Sequence, residues 1–321
     1  MKSKFTIDEQ IEHMKKKGVK FELFIADQAK QFLQYNTYYF KFKSYAKSFE
    51  RKKDGTFVNL DFAYLVELSK LDAHLRYFII HLSLDIEHML KTKLICDVTN
   101  NRDCDGYHVT ELFLERYPLI NQSIKRKMND SASADLIYKY DNQWPIWALI
   151  EVLSFGEFIK LYSMYYEIYK DGASKEIISL LVPLKFLRNA AAHNNCLLNS
   201  LRIPYEHTHL KDIKTINKTR VLTEKVSKIK SIGKASRKKK LTNPIIHDFV
   251  ASLFLFDQIC TSIPIKRDTY TRLDKLFRAR MIQHKEYFSK DLIFTSTYDF
   301  MIKIIDFLES GMYNTVSEQK Q

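Results

Sequence analysis

Apolar positions in this chain recur at three- and four-residue steps over most of its length, the spacing of helices that bury one face. The clearest case lies between residues 62 and 95, where Leu65, Leu68, Leu71, Leu75, Phe78, Leu82, Ile86 and Met89 form one stripe that Lys93 continues. Ahead of it, Thr6 to Lys17 reads as a helix. Thr6 with Glu9 three residues on makes a capping box, and Gly18 supplies the stop. A short second helix is expected over about Ile25 to Leu33. Tyr38 to Tyr45 alternates aromatic and lysine, which fits either a strand or one side of a helix. Asp54-Gly55 marks a turn, and a polar loop is expected through Asn100, Asn101, Asp103 and Asp105.

Beyond Pro145, Trp147, Ile150, Glu151 and Leu153 share a helical face, Ser154 and Glu157 form a fresh capping box, and a Tyr-rich helix runs to about Lys170. The next helix starts at Ser174 or at Pro183 and is expected to reach about Asn199. Proline suits a first turn and would kink an interior position. The pattern is helical again after Pro244 through Phe249, Leu253, Phe256 and Ile259, and a last helix covers about Tyr298 to Leu308. Only 7 glycines and 6 prolines interrupt 321 residues, which favours long helices over a turn-rich β fold. The expected fold class is all-α, without internal repeats.

Composition sharpens this picture in three ways. Hydrophobic residues make up 45%, enough for a folded core. The four cysteines, Cys96, Cys104, Cys196 and Cys260, form no C-x-x-C pair, so a reduced, cytoplasmic protein without zinc is expected. The first residues lack the apolar core of a signal peptide, and no run long enough to span a bilayer exists, so no membrane partner is expected. The net charge of +13 points to a polyanion. It is concentrated in residues 206 to 240, with twelve Lys or Arg against three acids. Lys228, Lys230, Lys234, Arg237, Lys238, Lys239 and Lys240 are candidate RNA-phosphate contacts there, and Lys41 and Lys43 are candidates in the aromatic stretch.

Chemistry is concentrated on one helix. At 100° per residue, Ile177, Leu180, Leu184, Leu187 and Ala191 share an apolar side, while Arg188, Asn189 and His193, with small residues between them, are expected opposite it. An arginine can hold a phosphate and offset charge on a pentacoordinate transition state, and a histidine can move a proton to or from a ribose oxygen. That set suits RNA scission without a metal or another cofactor. One histidine cannot easily act as base and acid in one step, so two copies of the helix in a dimer are expected to supply both. Spacing alone is weak: Arg-x4-His occurs three times, at Arg76, Arg188 and Arg202. Only the middle copy has a polar residue after the arginine and small residues before the histidine.

The stretch Leu187 to Asn195, with Asn199 following, resembles the signature of HEPN-domain ribonucleases, and more narrowly the bacterial abortive-infection family (the Abi-like, AbiD/AbiF group). Further blocks resemble that family in order: Thr6 to Ile11 with Gly18, Asn36 to Phe40, Leu71-Asp72 with Leu75-Arg76, Ile86-Glu87, and Pro145 to Trp147 with Glu151 to Glu157. The resemblance implies a HEPN-type helical bundle, a role in phage defence, an association with structured non-coding RNA, and a homodimer with a composite site. It would assign the scissile phosphate to Arg188, acid/base work to His193 and support to Asn189, giving 2′,3′-cyclic phosphate and 5′-hydroxyl ends. Glu87, Glu151, Asp72 and Arg76 are candidates for supporting that site, Asp72 and Arg76 as an ion pair on the helix flank. The expected organisation is an N-terminal helical, aromatic and basic region (1–60), a HEPN-like core (61–205), a basic loop or insertion (206–243) and C-terminal helices packing on the core (244–321). A non-catalytic RNA-binding protein is the main alternative, and a DNA-binding regulator, lacking a recognition-helix motif, comes last.

Overall fold

The computed structural model describes residues 4–129, 132–140, 143–170, 174–199, 201 and 216–318. Fifteen α-helices are assigned among them: α1 (Ile7–Lys16), α2 (Ala26–Tyr35), α3 (Tyr39–Ser44), α4 (Phe62–Asn100), α5 (His108–Arg116), α6 (Pro118–Arg126), α7 (Ala134–Tyr140), α8 (Ile146–Val152), α9 (Phe155–Ile168), α10 (Ser174–Ala192), α11 (Ile216–Ser227), α12 (Lys234–Leu241), α13 (Pro244–Ile259), α14 (Ile263–Asp274) and α15 (Leu292–Glu318). No strand forms among the described residues; two isolated bridges, Lys20 to Asp61 and Arg51 to Phe57, are the extent of β pairing there. The all-α expectation holds.

Local chemistry sets many of the helix ends. Thr6 and Glu9 form the reciprocal cap on α1, and Ser154 with Glu157 does the same for α9. Asp61 caps α4 by accepting from the Ala63 amide at 2.8 Å, and its other oxygen accepts from the Glu22 amide at 2.9 Å. Gly106 sits at φ +79°, and a β-carbon there would lie 2.6 Å from the Trp147 ring, so only glycine fits beside that indole. Its carbonyl also accepts from the Ile146 amide at 2.8 Å, which anchors the start of α8.

The 39-residue α4 is the spine. Its first two turns are buried on nearly every side, whereas from Ile86 onward Leu90, Leu94 and Val98 are fully buried at every fourth position. The inner line thus runs through Leu90 and Leu94, and Met89 and Lys93 lie beside it, only partly buried. Two apolar clusters meet along this helix. One joins α1, α2, α3 and the start of α4, with Phe21, Phe24, Phe32 and Phe42 around Phe62 at ring separations of 4.7 to 6.1 Å. The other runs from Leu75 to Leu308 and takes in everything from α5 to α15. α13 is apolar on all sides and buried from Phe249 through Phe256, and α10 packs against both α4 and α13.

The basic stretch differs from expectation. Where described, it forms two helices, α11 and α12, joined by a turn over 228–233, and Leu222, Val226, Ile229, Ile232 and Leu241 anchor it in the larger cluster. Residues 202–215 of that stretch lie outside the described residues. Among the described residues no helix is long and apolar enough to cross a membrane.

Candidate functional site

α10 runs from Ser174 to Ala192 with Pro183 in its interior, and it stops before the expected end at Asn199. The stop has a clear cause. The Asn195 amide donates to the Ala190 carbonyl at 2.9 Å and the Asn194 amide to the Ala191 carbonyl at 3.0 Å, a Schellman turn with His193 as its cap. Asn194 takes the left-handed conformation at φ 56°, which asparagine tolerates better than any residue except glycine. Cys196, expected on the helix, therefore lies in the following loop.

This geometry separates the candidate residues. With Arg188 as origin, the buried side of α10 is centred near about 300° and the outward direction near about 120°. Phe186 and Asn189 lie close to that outward direction, at the end of which His193 is exposed. Arg188 is half-buried at the edge of the core face, on the side where the Lys185 stem covers Gly156 at the start of α9. Of the three residues expected opposite the core, His193 is exposed, whereas Arg188 and Asn189 are both half-buried. Among the described residues, neither the Arg188 guanidinium nor the His193 imidazole makes a side-chain hydrogen bond or ion pair.

The loop after His193 is held by a buried carboxylate. Asp72, fully buried on α4, accepts from the amides of Leu197 and Leu198 at 2.9 and 2.8 Å through one oxygen and from the Tyr45 hydroxyl at 2.8 Å through the other. The Arg76 guanidinium closes on that second oxygen and reaches the Asn195 carbonyl at 3.4 Å. Ser48 adds a bond to the Leu198 carbonyl at 2.9 Å, and the Cys196 thiol points to the Lys41 carbonyl at 3.7 Å. Asp72 and Arg76 thus form the ion pair that their spacing on the helix flank allows, and they form it inside the protein. Burial of the Tyr45 ring pushes its hydroxyl well above its ordinary range, so it stays a donor. Lys41 comes close enough to Arg76 that burial and this neighbouring charge lower its ammonium below the ordinary range.

Glu87 and Glu151 are brought together elsewhere. Lys91 lies 3.5 Å from Glu87 and 4.0 Å from Glu151, and the three line a cleft of about 500 Å3 with Leu84, His88 and Ile150. Among the described residues no hydrogen bond or ion pair links either glutamate to Arg188 or His193. Lys91 was missed in the sequence although its i,i+4 spacing from Glu87 signals the pair. Tyr45 carried no comparable signal, since its partner lies 27 residues away.

The lysine candidates divide as well. Lys228, Lys230, Lys234, Lys238 and Lys239 are exposed along α12 and the turn before it, and Arg237 is half-exposed. Lys240 is not available to a phosphate: it is 5% exposed and donates to the Ser296 and Thr297 hydroxyls, each at 2.8 Å. Burial, aided by Lys239, lowers its ammonium to about 8. In α3 and the residues flanking it, Phe42 and Tyr45 are core residues, while Tyr38, Phe40 and Lys43 are exposed. Among the described residues, no three His, Cys, Asp or Glu side chains gather as a metal site would require.

The sequence profile of the Abi-like protein family matches residues 31–199, over half of the chain, and so takes in Leu197 and Leu198, whose amides Asp72 holds. The chain belongs to the Abi-like family. No curated protein and no solved structure matches it. The family match covers α3 to α10 and the Schellman turn, and leaves the Thr6–Gly18 block and α11 to α15 outside it. Arg188, His193, Asp72, Glu87 and Glu151 all lie within the Abi-like stretch, together with Tyr45 and Ser48 that bind Asp72 and the turn, whereas the exposed lysines of α12 belong to the remainder of the chain.

Proposed function

We propose that this Abi-like protein is a metal-independent endoribonuclease of the HEPN type, acting in phage defence by abortive infection. The observation that supports the reading is a pair of polar side chains at the end of α10, Arg188 at its flank and His193 at its cap, which have no side-chain partner among the described residues and lie beside a turn fixed by a buried carboxylate. A fixed backbone at that point costs the reaction little reorganisation. In the reaction a ribose 2′-oxygen loses its proton and attacks the adjacent phosphorus. The P–O5′ bond breaks and the departing 5′-oxygen takes up a proton, leaving a 2′,3′-cyclic phosphate and a 5′-hydroxyl. His193 serves the proton transfers, Arg188 holds the phosphate oxygens, and Asn189 orients one of the two.

The angular separation of Arg188 and His193 on one α10 favours a site completed by a second copy, in which each chain supplies its imidazole across a homodimer. Lys228, Lys230, Lys234, Arg237, Lys238 and Lys239 then hold the RNA backbone. A structured non-coding RNA seated there would control access to the site. The protein acts in the cytoplasm, where its RNA is.

The test is cleavage of RNA by the full chain in excess EDTA. Arg188→Ala and His193→Ala should each lower the rate by about 100-fold or more. Normal cleavage by both variants would refute the site. Absence of cleavage by the wild-type chain, together with weaker RNA binding by Arg188→Ala, would instead establish a non-catalytic RNA binder. Preference for duplex DNA over RNA at matched salt would point to a DNA regulator.

A further inference from the structure

We propose that the chain holds a second ligand site: an apolar cavity that takes the aliphatic tail of a single-chain amphiphile with an uncharged or zwitterionic head, set against the buried carboxylate that shapes the turn after α10. The cavity measures about 490 Å3 and lies between the first half of α4, the loop after α10, α13 and the segment from Phe277 to Met301. That is within the range of small-molecule sites. Its floor is Leu68, Leu71, Leu75, Leu198, Phe249 and Phe277. None of these six side chains carries a polar group. The floor therefore offers dispersion contacts and exclusion of water, and cavities of this kind stay dry and accept apolar guests.

Two further observations indicate the shape and the head of the guest. Phe277 is carried by a π-helical segment, Lys275–Arg280, a rare geometry enriched at functional sites, and Arg280 pins it to α4 through Glu67. Among the described residues, exposed Lys285, Glu286, Ser289 and Asp299 edge the cavity, and Thr295, Thr297 and Tyr298 add hydroxyls to its wall. Both signs of charge are present there. A plain anionic head would meet Glu286 and Asp299, and a plain cationic head would meet Lys285. An uncharged polyol or a zwitterion satisfies both.

The position couples the cavity to the motif turn. Leu71 and Leu75 flank Asp72 on α4, and Leu198, whose amide Asp72 holds, turns its side chain into the same space. A tail seated there bears on both sides of that bond and should stiffen the turn.

The experiment is calorimetric titration of the full chain with 1-monolauroylglycerol below its micellar concentration, with laurate and dodecyltrimethylammonium as charged counterparts. One saturable site is expected, with the charged probes at least tenfold weaker. Met281→Trp and Ile245→Trp fill the cavity from partly exposed wall positions, and each should weaken binding at least tenfold while the helical circular dichroism is retained. A diazirine-tailed monoacylglycerol should label peptides that contain Phe277 or Met301, a readout independent of either variant. Hydrogen exchange at Leu197 and Leu198 should slow on binding. No saturable binding, undiminished binding in a folded filled variant, or labelling outside the cavity wall would overturn the site. Equal binding of a charged probe would overturn the head assignment, and unchanged exchange would overturn the coupling.

Discussion

Replacing Asp72 by alanine tests the proposition that a buried carboxylate on α4, and not the local sequence after His193, fixes the turn beside the candidate site. The change strips one acceptor from four donors: the Arg76 guanidinium, the Tyr45 hydroxyl and the amides of Leu197 and Leu198. Breaking one partner of a buried ion pair costs about 3–5 kcal/mol, because the remaining charge is left desolvated. Each further bond to a charged acceptor is worth about 1.5–3 kcal/mol, but these losses overlap and do not add. A total near about 4 kcal/mol is a large part of a domain stability of about 5–15 kcal/mol. With a urea slope of about 2–3 kcal/mol/M, the midpoint should fall by about 1.3–2 M. Urea unfolding followed by circular dichroism reads the global loss, and hydrogen exchange at Leu197 and Leu198 reads the turn. The double variant Asp72→Leu with Arg76→Met removes both charges and should recover much of the stability. It should leave the two amides unprotected, since nothing then accepts from them. A loss below about 1 kcal/mol in Asp72→Ala, or unchanged exchange at the two amides, would refute the reasoning.

Three smaller effects follow from the same geometry. Because the Lys240 ammonium is lowered to about 8 in the folded chain and is near its ordinary 10.5 when unfolded, the unfolded state binds more protons between these values. Stability contributed at this position should therefore rise with pH from about 8 to 10.5 and be flat below about 8, by on the order of 1–3 kcal/mol; Lys240→Met should abolish that slope in urea titrations at several pH values, and an identical slope in the variant would count against it. Asn194→Val forces a β-branched residue into φ 56° and should cost about 1–2 kcal/mol, whereas Asn194→Gly should be neutral or slightly stabilising; equal unfolding midpoints for the two would contradict the left-handed turn. Removing exposed Lys238 and Lys239 together should flatten the salt dependence of RNA affinity by about 1.4–1.8 log units per log unit of salt, while Lys240→Ala should leave that slope unchanged if it remains folded.

What the sequence determined by itself was whatever neighbours along the chain decide. The spacing of apolar residues marked α4, and Thr6 with Glu9 and Ser154 with Glu157 marked two helix starts to the residue. Such features depend on contacts three or four positions apart, which any reader of the chain can see. The candidate residues Arg188, Asn189 and His193 were legible from their residue types. The end of their helix was not, because the stop lies just past Ala192, where Asn194 turns the backbone over and carries Cys196 off the helix. The Ala-His-Asn-Asn run held a signal for that stop, in asparagine's tolerance of the left-handed region. The rest depended on tertiary packing. For Asp72 the sequence showed only the spacing to Arg76, because Tyr45, 27 residues before it, and Leu197, 125 residues after it, leave no periodic trace. Lys240 looked like the end of a solvated basic run, and it is buried because α15 covers α12 with the hydroxyls of Ser296 and Thr297. Whether a polar side chain serves solvent, a ligand or the fold is set by what packs over it, and that information is carried by residues far away in the chain.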